Sequence, residues 1–173
     1  FFLYIVFDSL SPHLPDLESP LRLYSNQCQR DLRLTLLEGI SRAKESIHLV
    51  MFGLSDLPIL SAIAKRAQEG VDVHIYYDPK GSARIDSLLH QAKVHPIVGR
   101  GLMHQKILVI DHELVFIGSA NMTSASLRMH DNLMIGCMSP KVAAFLEQNT
   151  PHRSGYLQAV IGGQELELWL LPD

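Results

Sequence analysis

Apolar residues along this chain recur at two spacings, and the alternation between them lays out the elements. Leu21-Arg22-Leu23-Tyr24 alternates apolar and polar side chains, as a strand with one buried face does. From about Gln29 to Glu45, Leu32, Leu36, Leu37, Ile40 and Ala43 fall at helical spacing, which predicts an amphipathic helix with Asp31 in its first turn and Arg42 and Lys44 in its last. Ile47 to Phe52 is a nearly continuous apolar run, as in a strand covered on both faces, and His48 within it reads as a neutral, hydrogen-bonded core histidine. Ser55-Asp56 caps a second helix, with Pro58 in its first turn, an apolar stripe of Ile59, Leu60, Ile63, Ala64 and Ala67, and Gly70 at its end. Val71 to Tyr77 alternates again.

Strand, helix, strand, helix, strand in this order predicts parallel βαβ units, and with them an α/β fold: a mixed, mostly parallel β-sheet flanked by helices on both faces. Asp78-Pro79-Lys80-Gly81 reads first as a turn, and because Asp78 ends a strand of such a sheet it is also a candidate pocket residue. A short helix is predicted over 83–91 and a brief strand over 94–98, with His90 and His95 at the surface. Two runs rich in β-branched residues, 101–110 and 114–117, are separated by Asp111-His112-Glu113 and predict an antiparallel hairpin. A helical turn within 122–128, a strand over 131–136 and a helix over 140–148 follow. Residues 149–163, with Pro151 and three glycines, read as a linker, and Leu166-Glu167-Leu168-Trp169 as a final strand that repeats the pattern of Leu21-Arg22-Leu23-Tyr24.

These elements divide the chain into an apolar N-terminal segment and linker over 1–20, a domain over 21–150, and a linker with a C-terminal strand over 151–173. The last strand is either a native edge strand or the start of a second copy of the unit. Residues 1–7 are uniformly apolar and too short for a bilayer, which needs about 20. A short packing strand and the tail of a signal peptide or anchor both remain open for them, since the chain begins without Met. The 173 residues, 47% hydrophobic and 19% charged, are those of a folded domain with a real core, which excludes a disordered chain. A net charge of −3 offers no general attraction to nucleic acid and leaves a local basic patch as the electrostatic route to it. Cys28 and Cys137 are too few for a disulfide framework and read as buried thiols.

The candidate chemistry lies in the hairpin. His104 and Lys106 stand two apart on its first strand, so their side chains emerge on one face and an imidazole sits beside an ammonium. The second strand ends in Gly118-Ser119-Ala120-Asn121, a small-residue turn able to present N–H groups, a hydroxyl and an amide to an anion. Arg100, bracketed by Gly99 and Gly101, is either within reach of a phosphate or an exposed loop arginine. The joint pattern of His104, Lys106, Asp111, Gly118, Ser119 and Asn121 resembles the HxKxxxxD…GSxN signature of the phospholipase D superfamily, the HKD enzymes, and the resemblance extends more loosely over about 18–150.

Phosphodiester cleavage needs a nucleophile, charge stabilisation and a proton for the leaving group. His104 is the natural nucleophile, able to form a covalent phosphohistidine, while Lys106 would neutralise charge on the non-bridging oxygens and Asn121 and Ser119 would add hydrogen bonds to them. The scheme requires no metal and no cofactor, and no metal-ligand cluster is visible. Asp111, seven residues from His104 and at the turn, takes a structural role, with Gly118 as the other structural member of the motif.

The resemblance implies more. Single-motif members place a carboxylate soon after the GSxN segment to anchor the nucleophile, usually Glu followed by Asn; here Asp131-Asn132 stands there, so Asp131 is the candidate with a shorter side chain. The leaving-group acid comes from the histidine of a second motif. No other His-x-Lys occurs in this chain, so it holds half an active site, completed by a homodimer or by a second repeat missing from it. The substrate so implied is a phospholipid, hydrolysed or transferred to an alcohol, by a membrane-associated or exported protein in contact with a membrane surface. An endonuclease cleaving DNA or RNA with the same residues is the alternative, and a catalytically inactive scaffold domain the third reading. Clustered Lys and Arg around the site would favour nucleic acid; an apolar mouth would favour lipid.

Overall fold

A computed structural model describes residues 12–28, 31–82, 85–99 and 101–171; the apolar stretch at 1–7, Arg100 and the side chain of Cys28 lie outside them. The elements are β1 (Leu21–Ser25), α1 (Leu32–Arg42), β2 (Ser46–Met51), α2 (Leu57–Gln68), β3 (Asp72–Tyr77), β4 (Lys93–Pro96), β5 (Lys106–Ile110), β6 (Leu114–Gly118), α3 (Ser124–Arg128), β7 (Leu133–Met138), α4 (Pro140–Asn149), β8 (Gly155–Ile161) and β9 (Gln164–Leu170). Seven strands form one sheet in the order β1-β7-β6-β5-β2-β3-β4, and β8 and β9 pair separately.

The sheet is mixed, as the alternation of strands and helices predicts. Its parallel part is β2-β3-β4, joined through the crossover helix α2 and the turns after β3. The other pairings are antiparallel, because β5 returns beside β2, β6 follows by a tight turn, and β7 and β1 add on beyond it. The parallel share is therefore smaller than the helix–strand alternation alone suggests.

Alternation along each strand divides the core in two. Leu49, Ile75, Leu108 and Phe116 face α1 and α2, where they meet Leu32, Leu36, Ile40, Ile59 and Ile63. Val50, Ile107, Val109, Val115 and Cys137 face the other way, against Val142 and Leu146 of α4 and Ala159, Ile161 and Leu170 of the β8-β9 hairpin. Both faces of β2 are thus covered, which is why it is written as an unbroken apolar run. Each of these helices is started by a side chain: Asp31, Asp56 and Ser139 accept from Leu34, Ile59 and Val142 N–H respectively. Asp56 is buried and also receives Arg33 Nε at 3.1 Å on both carboxylate oxygens.

Two predicted elements differ. Between β3 and β4 the described residues 85–92 form turns rather than a helix, with Leu88 and Ala92 N–H donating to Ile85 and Leu89 carbonyls at 3.0 Å. Ile85 and Leu89 are buried all the same, so successive turns bury the apolar pair that imitates a helical stripe. The stretch read as a linker contains β8, and Gly162-Gly163, both with positive φ, are the two-residue turn into β9. His95 is half-buried rather than on the surface, its ring stacked on Tyr76 with centroids 4.8 Å apart.

Strand directions gather the chain reversals 52–56, 78–82, 97–105, 118–123 and 129–132 at one edge of the sheet. The turns at 43–46 and 111–113 lie at the other.

Candidate active site

Phe52 to Leu54 continues the line of β2 past its last ladder residue and is flanked on both sides by the motif. On one side Phe52 N–H donates to the Gln105 carbonyl at 3.3 Å, extending the register that pairs Met51 with Lys106. On the other, Leu54 bridges Met122, and Gly53 N–H donates to Asn121 Oδ1 at 3.1 Å. The structure therefore brings the His104-Lys106 and Ser119-Asn121 segments to either side of one strand end.

His104 lies two residues before β5 rather than within it, and its imidazole is exposed. The first strand of the predicted hairpin thus begins at Lys106, and the two side chains do not share a strand face as expected. Lys106 is buried, 5% exposed, with its ammonium donating to the His104 carbonyl at 2.7 Å. Burial holds the Lys106 amine below its ordinary pKa, because desolvation disfavours the charged form. The Phe52 ring touches both groups: its centroid is 5.2 Å from that of the imidazole and 5.7 Å from Lys106 Nζ.

Asn121 has its oxygen committed to Gly53 and its backbone N–H to Ser126 Oγ at 2.9 Å. Its amide N–H₂ is the part left over, and it has the polarity an anionic oxygen needs. Gly53 makes room for this approach, since a Cβ there would stand 3.2 Å from Asn121 Cβ and Cγ and displace them by a few tenths of an ångström. Ser119 is exposed, but its hydroxyl donates to Asn132 Oδ1 at 2.9 Å and accepts from Leu133 N–H at 3.1 Å. Asn132 in turn donates to the Ser126 carbonyl and hydroxyl oxygens at 2.8 and 2.9 Å. In this arrangement the Ser119 side chain braces the loop, and the Asn121 side chain is tied through its oxygen to the end of β2. Asp131 sits at the same edge, exposed, with no hydrogen bond or ion pair among the described residues to join it to His104.

Asp111 is at the far edge. Its carboxylate accepts the Lys44, Glu45 and Ser46 N–H groups at 2.8–3.0 Å and so fastens the connection between α1 and β2. Asp111 and His112 both have positive φ, 51° and 58°, as a type I′ hairpin turn requires. Gly118 lets β6 approach β7, because a Cβ there would lie 2.2 Å from the Leu133 carbonyl oxygen. A cavity of about 870 Å³ opens at this far edge between Arg42, Lys44, Glu113 and Met138; Asp111 lines it, whereas His104, Lys106, Ser119 and Asn121 do not.

Phe52, Gly53 and Ser126 are site neighbours that the sequence did not single out, while Asp78, expected as a turn residue and a candidate pocket residue, stands beside them. Asp78 forms the turn after β3, accepting Lys80 N–H at 2.8 Å, and its other oxygen accepts Met103 N–H at 3.1 Å, beside His104. Among the described residues no group of three or more His, Cys, Asp or Glu side chains is placed to hold a metal ion.

The family model described as "Cardiolipin synthase, PLD-like domain" matches residues 36–152. The chain is 34% identical over 102 residues to a phospholipase D of Rickettsia felis, an alignment that takes in 56% of this chain and 51% of that protein. It is 30% identical over 111 residues to cardiolipin synthase 1 of Bacillus anthracis, covering 58% of this chain and 22% of that one. The chain thus spans about half the length, or less, of the curated relatives it matches. Among solved structures, Nuc of Salmonella typhimurium, a phospholipase D family member, superimposes with a TM-score of 0.66 at 23% identity, over 74% of this chain and 90% of that one. NucT of Helicobacter pylori gives 0.65 at 24%, over 74% and 91%.

Proposed function

The chain belongs to the phospholipase D-like family, and from that membership we propose that it is a phosphodiesterase acting on phospholipid, with His104 as nucleophile. The observation that carries the substrate class is the rim of the site edge. Val98 is 84% and Met129 79% exposed on connections at that edge, and Leu57, Leu102 and Leu133 are exposed at the same end of the sheet. Such a rim suits a lipid surface better than a polyanion. The curated relatives named above are a phospholipase D and a cardiolipin synthase, which points the same way. Contact with a membrane surface is made through this rim; among the described residues no helix is long and apolar enough to cross a membrane.

In the first step an imidazole nitrogen of His104 attacks phosphorus, the N–P bond forms, and the bond to the leaving alcohol breaks. Lys106 and the Asn121 amide neutralise and hold the non-bridging oxygens, and the leaving oxygen takes a proton from an imidazolium. In the second step that imidazole removes a proton from water or an alcohol, which attacks phosphorus and breaks the N–P bond; water yields the acid, an alcohol a transferred phosphatidyl group. Asp131 is the carboxylate proposed to anchor His104 once the site is closed.

The second imidazole is that of another motif, supplied by a second copy of this chain or by a second repeat. An apolar row on the α4 side of the sheet, Leu23, Ile135 and Ile117, adjoins the site and is only partly covered, which suits such a partner.

The test uses vesicles of phosphatidylglycerol or phosphatidylcholine with ethanol as acceptor, beside single-stranded DNA and RNA, for wild type and H104A. Lipid turnover that vanishes in a folded H104A, with an alkali-stable phosphohistidine trapped in wild type, supports the proposal. Undiminished turnover in H104A sinks the mechanism, and nucleic-acid cleavage without lipid turnover sinks the substrate class.

A further inference from the structure

Among the described residues the His104 imidazole makes no hydrogen bond, and its ring contact is with Phe52, tilted at 59°. An exposed side chain on an irregular segment has little else to fix its rotamer. The same Phe52 ring lies against the Lys106 ammonium. One aromatic side chain therefore touches both groups that the proposed reaction places on the phosphate.

Phe52 is itself held from several directions. Its N–H is bonded to the Gln105 carbonyl, and its carbonyl accepts the Ser82 hydroxyl at 2.6 Å. Gly81 lies so close that a Cβ would be 2.4 Å from the Phe52 oxygen. Ser82 Oγ also receives Leu54 N–H at 2.8 Å, so the turn after β3 grips the backbone on both sides of Gly53. The ring thus projects from a backbone that the sheet end and a neighbouring turn both fix.

We propose that Phe52 is a positioning residue that sets the His104 imidazole and the Lys106 ammonium relative to each other, by ring–ring contact on one side and cation–π contact on the other. A hydrogen-bonding partner in its place would occupy a ring nitrogen. An aromatic hydrocarbon orients the imidazole and leaves both nitrogens free, one for phosphorus and one for an acceptor. Its π-face also steadies the ammonium without neutralising it, as a carboxylate would.

The inference rests on the roles given above to His104 and Lys106, so its test has one readout that needs no turnover. In the full-length chain, F52L keeps the apolar bulk and removes the ring, and F52Y keeps the ring. The expected result for F52L is a kcat at least tenfold below wild type with KM within twofold, an unchanged urea midpoint, and a Lys106 ε-methylene titration, followed by NMR without substrate, moved to lower pH. F52Y should restore kcat to within threefold. If F52L matches wild type in kcat and in the Lys106 titration, or if F52L and F52Y fall together with stability, the proposal is overturned. If wild type turns over no phosphodiester while the Lys106 titration still moves in F52L, the reaction assignment fails and the positioning role of Phe52 stands.

Discussion

Replacing Asp111 with Ala separates the two ends of the motif. The side chain satisfies three backbone N–H groups, those of Lys44, Glu45 and Ser46. Lys44 and Glu45 are exposed and can turn to water at small cost, but Ser46 is buried, and an unsatisfied buried donor costs about 1–3 kcal/mol. The backbone at position 111 has a φ of 51°, which Asp tolerates better than Ala; the difference adds up to about 1 kcal/mol. The sum is about 3 kcal/mol, or a fall in Tm of about 6–12 °C for a chain of this size. Asp111→Asn keeps the acceptor oxygen and the tolerance of left-handed backbone, and should lose only about 1 kcal/mol. Asp111 and His104 lie at opposite edges of the sheet, about 20 Å apart along the strand direction, so kcat of the folded protein should be unchanged in both variants. Urea unfolding gives the stability and phosphodiester turnover at 25 °C the activity. An Asp111→Ala protein less than 1 kcal/mol below wild type, or one that is folded and has lost tenfold in kcat, would refute the reasoning.

The half-buried His48, bonded to Thr150 Oγ1, has its pKa lowered to about 4 by desolvation first and by His74 second. The unfolded state binds the proton more tightly, so stability present above pH 6.5 is lost as pH falls from 6.5 towards 4, by up to about 3 kcal/mol; His48→Gln should flatten that part of the urea-midpoint profile, and an unchanged slope would count against it. Because burial lowers the Lys106 pKa, the alkaline limb of kcat/KM should fall below 10.5 and move upward by at least a unit in Lys106→Arg, whose guanidinium keeps its charge; coincident limbs would remove Lys106 from the chemistry. Gly81→Ala drives a methyl into the Phe52 carbonyl, which being backbone cannot yield, and should cost about 2 kcal/mol in thermal unfolding; a variant within 0.5 kcal/mol of wild type would show that the turn can move.

Much of the fold was legible because its signals are local. The apolar run at 47–52, the capped helix at 57–68 and the β-branched hairpin each follow from residues next to one another. Gly162-Gly163 between two alternating runs was a hairpin signal of the same kind, hidden by reading its glycines as linker composition. Ile85 and Leu89 misled for the opposite reason, since spacing alone does not tell a helix from successive turns that bury the same pair. The segments of His104, Lys106 and Asn121, marked in the sequence by residue type and spacing, come to either side of one strand end. What surrounds them was not legible, because Gly53 meets Asn121 across 68 positions and Asp78 reaches Met103 across 25. No periodicity encodes such pairs. The Ser119 hydroxyl, expected on the phosphate, is drawn instead to Asn132, which only the return of β7 brings near.

By taking the Asn121 oxygen, the Gly53 N–H decides what this side chain can offer a ligand. Lys106 has no acceptor of its own, so the two groups facing the proposed phosphate present hydrogens alone. A ligand must then bring the lone pairs. An ionised diester brings two oxygens that share one negative charge, whereas a neutral triester or a carboxylic ester brings one uncharged phosphoryl or carbonyl oxygen and leaves donors idle. On the proposed reaction, discrimination among esters is set by a count of donors and acceptors, to which one main-chain hydrogen at a neighbouring strand end contributes.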